Sequence, residues 1–249
     1  MASLRGRRVT EPHARRVTWL GHATVLIEVG GVRLLTDPVL ADRVLHLKRQ
    51  VPTPARPRDV DAVLISHLHH DHLHKPSLRD LSRTALAPVG ARKYLPGYAV
   101  HEVRVGETVD VGVPVEAVPA WHDGRRRPGP GAEELDTLGY LVDGVWFAGD
   151  TDYDPAMEAL RGRVDCALIP VWGWGPSLGP GHLDPAGAAR VIDLIAPRLA
   201  VPIHWGTFLP LGLGRRHERL LTDPPLEFAA AVTGKTRVEV VAPGGTVEV

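Results

Sequence analysis

The stretch Ser66-His67-Leu68-His69-His70-Asp71-His72 carries three imidazoles and a carboxylate at H-x-H-x-D-H spacing. It follows an apolar run over residues 62–65, which predicts a buried strand, and it precedes a predicted helix start at Pro76-Ser77. Imidazole and carboxylate groups are poor material for a hydrophobic core, but together they suit zinc, manganese or iron. The stretch therefore predicts a metal site at the carboxyl end of a strand, where open α/β sheets place their ligand sites.

The spacing of this motif fits two ions. In extended backbone, residues two apart face the same side, so His67 and His69 can bind one ion. Asp71 and His72 follow where the chain turns toward the predicted helix, and they can face a second ion. A solvated histidine-rich loop is the alternative for the motif taken alone. The rest of the chain argues against that alternative.

The composition shows no strong charge bias. The chain has 249 residues, with 29 Lys and Arg against 29 Asp and Glu, so the formal net charge is zero. This balance gives no overall electrostatic reason to expect nucleic acid or an anionic membrane as partner. The single cysteine, Cys166, excludes an intrachain disulfide.

The amino-terminal end gives no sign of a targeting segment. Residues 1–16 are basic but contain no apolar segment of the kind that a signal peptide carries. No run of about 18 apolar residues occurs in the chain. We therefore expect a cytoplasmic protein without a membrane span, with a single domain over residues 1–249 and residues 1–15 disordered.

Short apolar runs separated by turn signals predict a strand-rich chain. Residues 17–28 predict a strand interrupted at Gly21-His22, and Gly30-Gly31 predicts a hairpin turn. Further along, predicted strands alternate with predicted helices such as residues 226–232, and residues 238–249 predict a closing hairpin. This order suits two β-sheets packed together with helices outside each, although several α/β architectures share it.

Three later segments place a metal-binding side chain at the end of a predicted strand. They are Ala120-Trp121-His122, Gly149-Asp150 and Ile203-His204. A two-metal centre needs about three protein ligands for each ion and a bridging oxygen donor. Together with the four residues of the early motif, these three side chains meet that demand.

With these residues in place, the chain resembles the metallo-β-lactamase-fold hydrolases. The matching signals occur in the family's order, namely Asp37, the H-x-H-x-D-H motif, His122, Gly149-Asp150 and His204. Within that superfamily the chain looks most like the branch of ascorbate-phosphate lactonases and N-acylphosphatidylethanolamine phospholipase D-type enzymes. That likeness comes from Trp19-Leu20-Gly21-His22-Ala23-Thr24, Leu35-Thr36-Asp37-Pro38 and His182-Leu183-Asp184-Pro185.

The resemblance implies an α/β fold, the αβ/βα four-layer sandwich, with two mixed β-sheets and helices on the outer faces. It also implies two divalent metal ions, with zinc favoured and manganese or iron as alternatives. By the same resemblance, the metal ligands are His67, His69 and His122 for the first ion, Asp71, His72 and His204 for the second, and Asp150 as the bridge.

The implied activity is hydrolysis of a small ester, lactone or phosphodiester by a metal-bridging hydroxide. Asp71 is expected both to bind metal and to orient the hydroxide. His182, which matches the branch's H-x-x-P position, is expected to contact the substrate or stabilise a developing oxyanion. Asp37 either supports a ligand histidine or ends a strand as a turn residue, and His22 either supports the site or only interrupts a strand.

Other functions are weighed against this one. A nuclease of the same fold is disfavoured by the zero net charge and by the lack of an evident nucleic-acid domain. A di-iron redox protein is disfavoured because His69 stands where such proteins have a Glu-bearing pattern. A metal-binding protein without catalysis is disfavoured by the complete ligand set, so a small-molecule substrate is the expected partner.

Two groups of residues give weaker indications about the substrate. The loop Arg125-Arg126-Arg127 either attracts an anionic group or is a solvated charge run, and the second interpretation is favoured. Several aromatic side chains near the motifs either form an apolar pocket wall or, by the favoured interpretation, fill the core. They are Trp121, Trp172, Trp174, Trp205 and Phe208.

Overall fold

The regular structure is mostly β-strand. The computed structural model describes residues 14–126, 132–213 and 217–249. The strands in these ranges are β1 (Arg16–Gly21), β2 (Thr24–Val29), β3 (Val32–Thr36), β4 (Arg43–Val44), β5 (Leu47–Arg49), β6 (Ala62–Leu64), β7 (Thr84–Pro88), β8 (Ala99–Val103), β9 (Thr108–Asp110), β10 (Pro114–Pro119), β11 (Leu138–Val142), β12 (Val145–Phe147), β13 (Cys166–Pro170), β14 (Leu199–Ile203), β15 (Phe208–Pro210), β16 (Arg237–Val238) and β17 (Thr246–Glu248). The helices are α1 (Pro185–Ile195) and α2 (Arg219–Ala231), with short 3-10 helices at Lys75–Leu78, Arg92–Tyr94 and Pro155–Leu160.

Two seven-stranded sheets form the centre of the fold. The first has the strand order β17-β1-β2-β3-β6-β7-β8, and the second has the order β16-β14-β13-β12-β11-β10-β9. In each sheet, antiparallel hairpins lead into a parallel portion, β3-β6-β7-β8 in the first and β12-β13-β14-β16 in the second. Both sheets are therefore mixed, as the resemblance implies.

The main hydrophobic core lies between the two sheets. Side chains such as Trp19 and Ile27 of the first sheet pack there with Phe147 of the second. Two hydrogen bonds also join the sheets: the Tyr140 hydroxyl donates to the carbonyl of Ile65 at 2.8 Å, and the Leu138 amide donates to the carbonyl of Ser66 at 3.0 Å. These bonds fix the two sheets relative to each other next to the histidine motif.

The outer faces of the two sheets are covered differently. Helix α1 begins at the predicted Pro185, after Asp184 accepts a hydrogen bond from the Gly187 amide at 2.7 Å. It buries Val191 and Ile195 with α2 against the second sheet. The outer face of the first sheet packs against leucines from loops and 3-10 segments. The two mixed sheets confirm the expected αβ/βα sandwich, with the difference that short 3-10 helices and loops, and not α-helices, cover the outer face of the first sheet among the described residues.

A small third sheet lies beside the sandwich. Strands β4 and β5 form a hairpin that pairs with β15. Val44 and Leu47 are buried there, and the Arg49 side chain donates to the carbonyls of Val39 and Ala41 at 2.6 and 3.0 Å. The base of the hairpin is thus fixed, while Leu45 at its turn is exposed.

Two of the expected elements differ from the structure. Residues 238–249 do not close as a hairpin, because β16 pairs with β14 and β17 with β1; the turn between them hydrogen-bonds Trp19. Helix α2 begins at Arg219, well before the expected residue 226, because the rings of Pro224 and Pro225 are buried within the helix rather than ending it.

The expected disorder of residues 1–15 falls mostly on residues that the structure does not describe. Residues 1–13 lie outside the described residues. Arg15 is described, and its guanidinium donates to Asp165 at 2.8 Å and to the carbonyl of Asp143 at 2.6 Å. Among the described residues, no helix combines the length and the hydropathy that crossing a bilayer requires. The single-domain organisation remains a prediction from the sequence.

Candidate metal centre

Three of the predicted metal-binding histidines meet at the edge where the strands end. His67 and His69 follow β6 in the first sheet, and His122 follows β10 in the second. One ring nitrogen from each of them lies within 4.8 Å of the other two. The Nδ1 atom of His69 lies 3.0 Å from the Nε2 atoms of both His67 and His122. We call this set the first group.

A second group forms beside it. Asp71 and His72 follow the first two histidines, and His204 follows β14. Their donor atoms, together with a ring nitrogen of His22, lie within 4.8 Å of one another. The Nε2 atoms of His72 and His204 are 3.2 Å apart. The structure thus brings together the two sets of residues that the resemblance assigns to separate ions.

Asp150 lies between the two groups. Its Oδ2 atom is 3.2 Å from Nε2 of His72, and its Oδ1 atom is 3.1 Å from Nε2 of His204. It also belongs to a set of potential ligands with His122 and His182. Gly149 makes this approach possible, because its φ is +65° and a Cβ atom there would lie 2.7 Å from a carbonyl oxygen.

The donor atoms fit metal ions. Oδ1 of Asp150 is buried and accepts no hydrogen bond, which is costly for a carboxylate unless a cation is its partner. The paired nitrogens lie 3.0 to 3.2 Å apart. Ligands that bind one zinc ion at about 2.0–2.1 Å are separated by similar distances. The chemistry of the set, imidazole and carboxylate, suits the same metals as the sequence indicates.

Asp37 supports a histidine of each group. His72 Nδ1 lies 2.8 Å from Asp37 Oδ2, so its N–H donates there and Nε2 remains available for an ion. The Ser66 hydroxyl donates to the same Asp37 oxygen at 2.5 Å and lies 2.9 Å from Nδ1 of His67. Asp37 is fully buried, and the Ser66 amide also donates to it. Of the two interpretations of Asp37, the structure therefore favours the supporting one.

A loop over residues 171–184 orients two more histidines through its backbone. The carbonyl of Gly181 accepts from Nδ1 of His122 at 2.7 Å, and the carbonyl of Trp172 accepts from Nδ1 of His204 at 2.8 Å. In each case Nε2 is left facing the cluster. The sequence gives no sign of these partners, because every residue has a backbone carbonyl.

The electrostatic environment keeps most of the imidazoles neutral. Burial lowers the pKa of His122 to about 4 and that of His204 to about 3. Burial and the neighbouring histidines also lower the pKa of His67. Burial raises the pKa of Asp150, but the facing histidines His204 and His72 outweigh it and hold that pKa well below its usual value. Neutral nitrogen and ionised oxygen donors are the forms that bind metal.

His72 behaves differently from the other ring donors. Burial alone would lower its pKa, but the carboxylates of Asp150 and Asp37 on its two sides raise it well above the usual value. A proton held between two carboxylates occupies the place of a cation. Metal binding is therefore expected to release this proton.

Without metal, the free energy of unfolding is expected to decrease as the pH falls from about 6.5 toward 4. His122 and His204 have lowered pKa values in the folded protein, so the unfolded chain binds more protons in this window. Stability then rises with pH, by on the order of 2 kcal/mol for each histidine between pH 5 and 7. His72 has the opposite sign, but its raised pKa places its loss of stability above this window.

Urea unfolding of chelator-treated protein at several pH values measures this dependence. His122→Gln should reduce the slope of stability against pH, whereas His101→Gln, at an exposed position of β8, should keep it. A metal-free protein whose stability is flat from pH 7 to 5 would contradict the assignment of neutral buried imidazoles.

Asp71 contacts two side chains that no local sequence pattern connects with it. Its Oδ2 atom lies 3.0 Å from Nε1 of Trp174, which donates, and 3.1 Å from Nε2 of His22. Burial raises the pKa of Asp71, but the hydrogen bond from His22 and the charge of His72 outweigh it and hold the pKa well below its usual value. Asp71 is thus an oriented, ionised carboxylate at the edge of the cluster.

His182 also reaches the cluster. Its Nε2 atom lies 3.7 Å from Oδ2 of Asp150, and its ring centroid is 4.6 Å from that of His122. Its Nδ1 atom lies 3.2 Å from the carbonyl of Gly179, and the side chain is partly exposed toward a cavity. Its catalytic role remains a prediction.

The remaining residues with expected roles lie at the surface, in the core or along the cavity. Arg125 pairs with Asp123 at 2.7 Å, and Arg127 lies outside the described residues. Arg126 lines the cavity and donates to the carbonyl of Leu68 at 2.7 Å. Of the aromatic side chains, Trp174 lines the cavity, while Phe208 is buried in the small core beneath the β4–β5 hairpin. Core filling therefore describes only part of this set.

Asp37→Asn is expected to weaken the binding of both ions, because an amide cannot accept hydrogen bonds from His72 and Ser66 as the carboxylate does. Ser66→Ala breaks only the link to His67, so it should weaken mainly the ion of the first group. Loss of such a supporting contact typically costs about 10- to 100-fold in metal affinity. Competition with a chromophoric chelator measures both affinities, and unchanged affinity in Asp37→Asn would contradict the supporting role.

The sandwich and the imidazole–carboxylate cluster at its edge place the chain in the class of αβ/βα proteins that bind metal. Residues 32–205 match the family model described as a beta-lactamase superfamily domain. A UPF0173 metal-dependent hydrolase from Methanopyrus kandleri is 34% identical over 211 residues, which cover 79% of this chain and 86% of the relative. The chain therefore belongs to the metallo-β-lactamase superfamily of metal-dependent hydrolases, which confirms the resemblance.

Two further comparisons agree with this assignment. An N-acyl-phosphatidylethanolamine-hydrolyzing phospholipase D from Caenorhabditis elegans is 31% identical over 231 residues, covering 78% of this chain and 64% of the relative. A metallo hydrolase from the archaeon Ignicoccus hospitalis has the same fold, with a TM-score of 0.68 and 22% identity over 95% of this chain and 98% of that one.

Proposed function

We propose that this protein hydrolyses a small ester, lactone or phosphodiester at a centre of two divalent metal ions. In this proposal His67, His69 and His122 would hold the first ion, Asp71, His72 and His204 would hold the second, and Asp150 would be shared between them. The observation that carries the proposal is the position of Asp150: its two oxygens lie against the second group, an oxygen of it lies within 4.8 Å of a ring nitrogen of His122 in the first, and its buried Oδ1 accepts no hydrogen bond. Zinc is the favoured metal, with manganese or iron as alternatives.

When bound, two such ions supply hydroxide near neutral pH and polarise the substrate oxygen. The side chains of the protein orient the groups that react. Asp71, held by the hydrogen bond from Trp174, presents a fixed carboxylate that can accept and orient a proton of the attacking group. His182, on the cavity side of the cluster, is placed to contact the substrate; because its Nδ1 donates to the carbonyl of Gly179, its Nε2 can donate to the oxygen that gains charge only when the ring is the imidazolium.

The cavity beside the cluster supports a substrate with an apolar part. Its volume is about 300 Å³, which suits a small molecule. One wall is formed by His69, Asp71, Asp150 and His182. An apolar wall comes from Val44, Leu45 and Leu47 of the β4–β5 hairpin and from the indole of Trp174, and the remaining lining residues are His46, His70 and Arg126. An acyl or ring group can rest on this wall while the scissile bond faces the cluster.

Leu45→Asn is expected to raise KM for substrates with an apolar acyl group by roughly tenfold, with kcat little changed, because part of the apolar wall is lost. Asn tolerates the positive φ of +50° at this position. Leu226→Asn is the matched control, since Leu226 on α2 is 60% exposed and Leu45 is 61% exposed. Steady-state kinetics on acyl esters of increasing chain length make the comparison. A KM that responds equally in both variants would contradict the proposed wall.

A substrate screen with metal counting tests the proposed function. Protein loaded with zinc or manganese is assayed on p-nitrophenyl phosphodiesters, lactones and acyl esters, and bound metal is measured on the same samples. The phosphodiesters are included because the relative from C. elegans is named for hydrolysing a phospholipid. Hydrolysis by protein with two bound ions supports the proposal. Active protein without transition metal, or two bound ions with no hydrolysis of any compound, would overturn it.

A variant of Asp71 tests the role of that residue separately. Metal-loaded Asp71→Ala is expected to lose most of its turnover while keeping the fold, which circular dichroism verifies. Turnover equal to that of the unmodified protein would exclude the proposed orienting role and would also count against Asp71 as a ligand of the second ion, whereas the other proposed ligands are not tested by this variant.

A further inference from the structure

His22 stands out among the residues that the motif does not explain. It lies outside the H-x-H-x-D-H stretch, between β1 and β2, and only 1% of it is exposed. Its Nε2 atom is 3.1 Å from Oδ2 of Asp71. The donor atoms of His22, Asp71, His72 and His204 all lie within 4.8 Å of one another. A histidine that only interrupts a strand has no reason to face this group.

The backbone of His22 is held in one position by three hydrogen bonds. Its amide donates to Oγ1 of Thr207 at 2.7 Å. Its carbonyl accepts from Nε1 of Trp19 at 2.8 Å and from the amide of His204 at 3.0 Å. These bonds tie His22 to its own strand and to the segment after β14, so they fix where its Cα–Cβ bond points.

This position carries an unusual backbone conformation. The φ angle is +52° at His22 and +64° at His204, the residue whose amide donates to it. Left-handed φ values at residues other than glycine cost free energy and persist where the surroundings determine them, often at functional sites. Here two hydrogen-bonded neighbours share that conformation, and both turn an imidazole toward the same group of donors.

The ring of His22 is equally fixed. Its centroid lies 3.9 Å from that of His204 and 5.3 Å from that of Phe208, which meets it edge-on. The distance from its Nε2 atom to Asp71 falls in the same range as the nitrogen pairs of the other proposed ligands, 3.0 to 3.2 Å. Geometrically, His22 is related to the second group as the proposed ligands are related to each other.

We propose that His22 is a fourth side-chain ligand of the second metal ion, in addition to Asp71, His72 and His204. This inference rests on the proposed two-metal centre. The second ion would then have four side chains and the Asp150 bridge, whereas the first would have three imidazoles and the same bridge. Five protein donors are more than a tetrahedral zinc site uses. They suit a metal that takes more than four ligands, such as manganese or iron. The two ions of this protein therefore differ in coordination and in affinity.

His22→Phe tests the proposal with a ring of similar shape that cannot bind metal. At a free zinc concentration where the unmodified protein holds two ions, the variant is expected to hold one. The affinity for the second ion should fall more than about 100-fold, beyond the range typical of a residue that only supports a ligand. His22→Asn, which tolerates the left-handed backbone, is the second variant, and His101→Phe on β8 is the control.

Two readouts other than activity decide the outcome. Elemental analysis after dialysis counts the ions, and the visible spectrum of the cobalt-substituted protein reports coordination, since its bands strengthen when a ligand is lost. A changed spectrum of the second site in both variants, recorded at cobalt concentrations high enough to fill both sites, supports the proposal. An unchanged spectrum overturns it, even with weaker binding, because His22 would then only position Asp71. Unmodified protein that binds a single ion refutes the two-metal function itself and this inference with it.

Discussion

Dialysis against a strong chelator is expected to abolish hydrolysis, and added zinc or manganese is expected to restore it. The reason lies in the chemistry of the cluster. His204 is buried and His122 is half-buried, lowered pKa values keep both imidazoles neutral, and the carboxylates Asp71 and Asp150 are ionised, so these groups suit a cation as partner and supply no strong nucleophile for an ester. The proposed ligand groups consist of histidine and aspartate side chains. Hydroxide near neutral pH then depends on bound metal.

The measurement compares turnover before chelation, after it and after addition of each metal. Protein exposed to chelator together with excess zinc serves as the control for inhibition by the chelator itself. Circular dichroism before and after reconstitution separates loss of metal from unfolding. Metal-free protein, verified by elemental analysis, that keeps its turnover would eliminate the metal-dependent mechanism.

Asp150→Ala is expected to lower kcat/KM by about 1,000-fold or more, comparable to the loss of a central electrostatic group in other enzymes. Asp150 is only 3% exposed and lies within 3.2 Å of a ring nitrogen of both His72 and His204. Its removal takes the bridging oxygens from the proposed pair of ions and leaves the facing imidazoles without their carboxylate. The variant should therefore bind fewer ions as well as turn over more slowly.

Asp152→Ala is the matched control, since Asp152 lies two positions further along the same loop and is exposed. It should change kcat/KM by less than about tenfold, as most surface substitutions have small effects. Metal content measured in parallel distinguishes a lost ion from a misplaced substrate. Two tightly bound ions in Asp150→Ala would contradict the bridging role.

The sequence predicts much of this centre because its residues follow strand ends. The H-x-H-x-D-H spacing, a histidine after β10, Gly149-Asp150 and a histidine after β14 are all local patterns in the amino-acid sequence. Strands that end at one edge then bring these positions together. That these residues bind metal is a proposal, which the metal measurements test.

Other parts of the centre leave little trace in the sequence. Gly181 and Trp172 act through carbonyl oxygens, which every residue has. The hydrogen bond from Trp174 to Asp71 joins residues 103 positions apart, and no local pattern encodes it. The placement of His22 beside the second group is equally hidden, since it depends on contacts with Thr207 and Trp19.

The fold shows the same division between local and long-range information. The Gly30-Gly31 turn is predictable because both residues need positive φ, which they have at +57° and +80°. The path of residues 238–249 is not, because the backbones of Gly244 and Gly245 bond to the distant Trp19 in β1. Pairing between distant segments is decided by the packed sandwich as a whole.

The donors of each proposed ion come from both β-sheets. The first ion would join His67 and His69, which follow a strand of one sheet, to His122 from the other; the second would join His72 to His204 in the same way. Each ion is then a cross-link between the two layers, and the layers cannot separate without releasing both ions. Metal loading should therefore raise the resistance of the whole sandwich to unfolding, well beyond the loops that hold the ions.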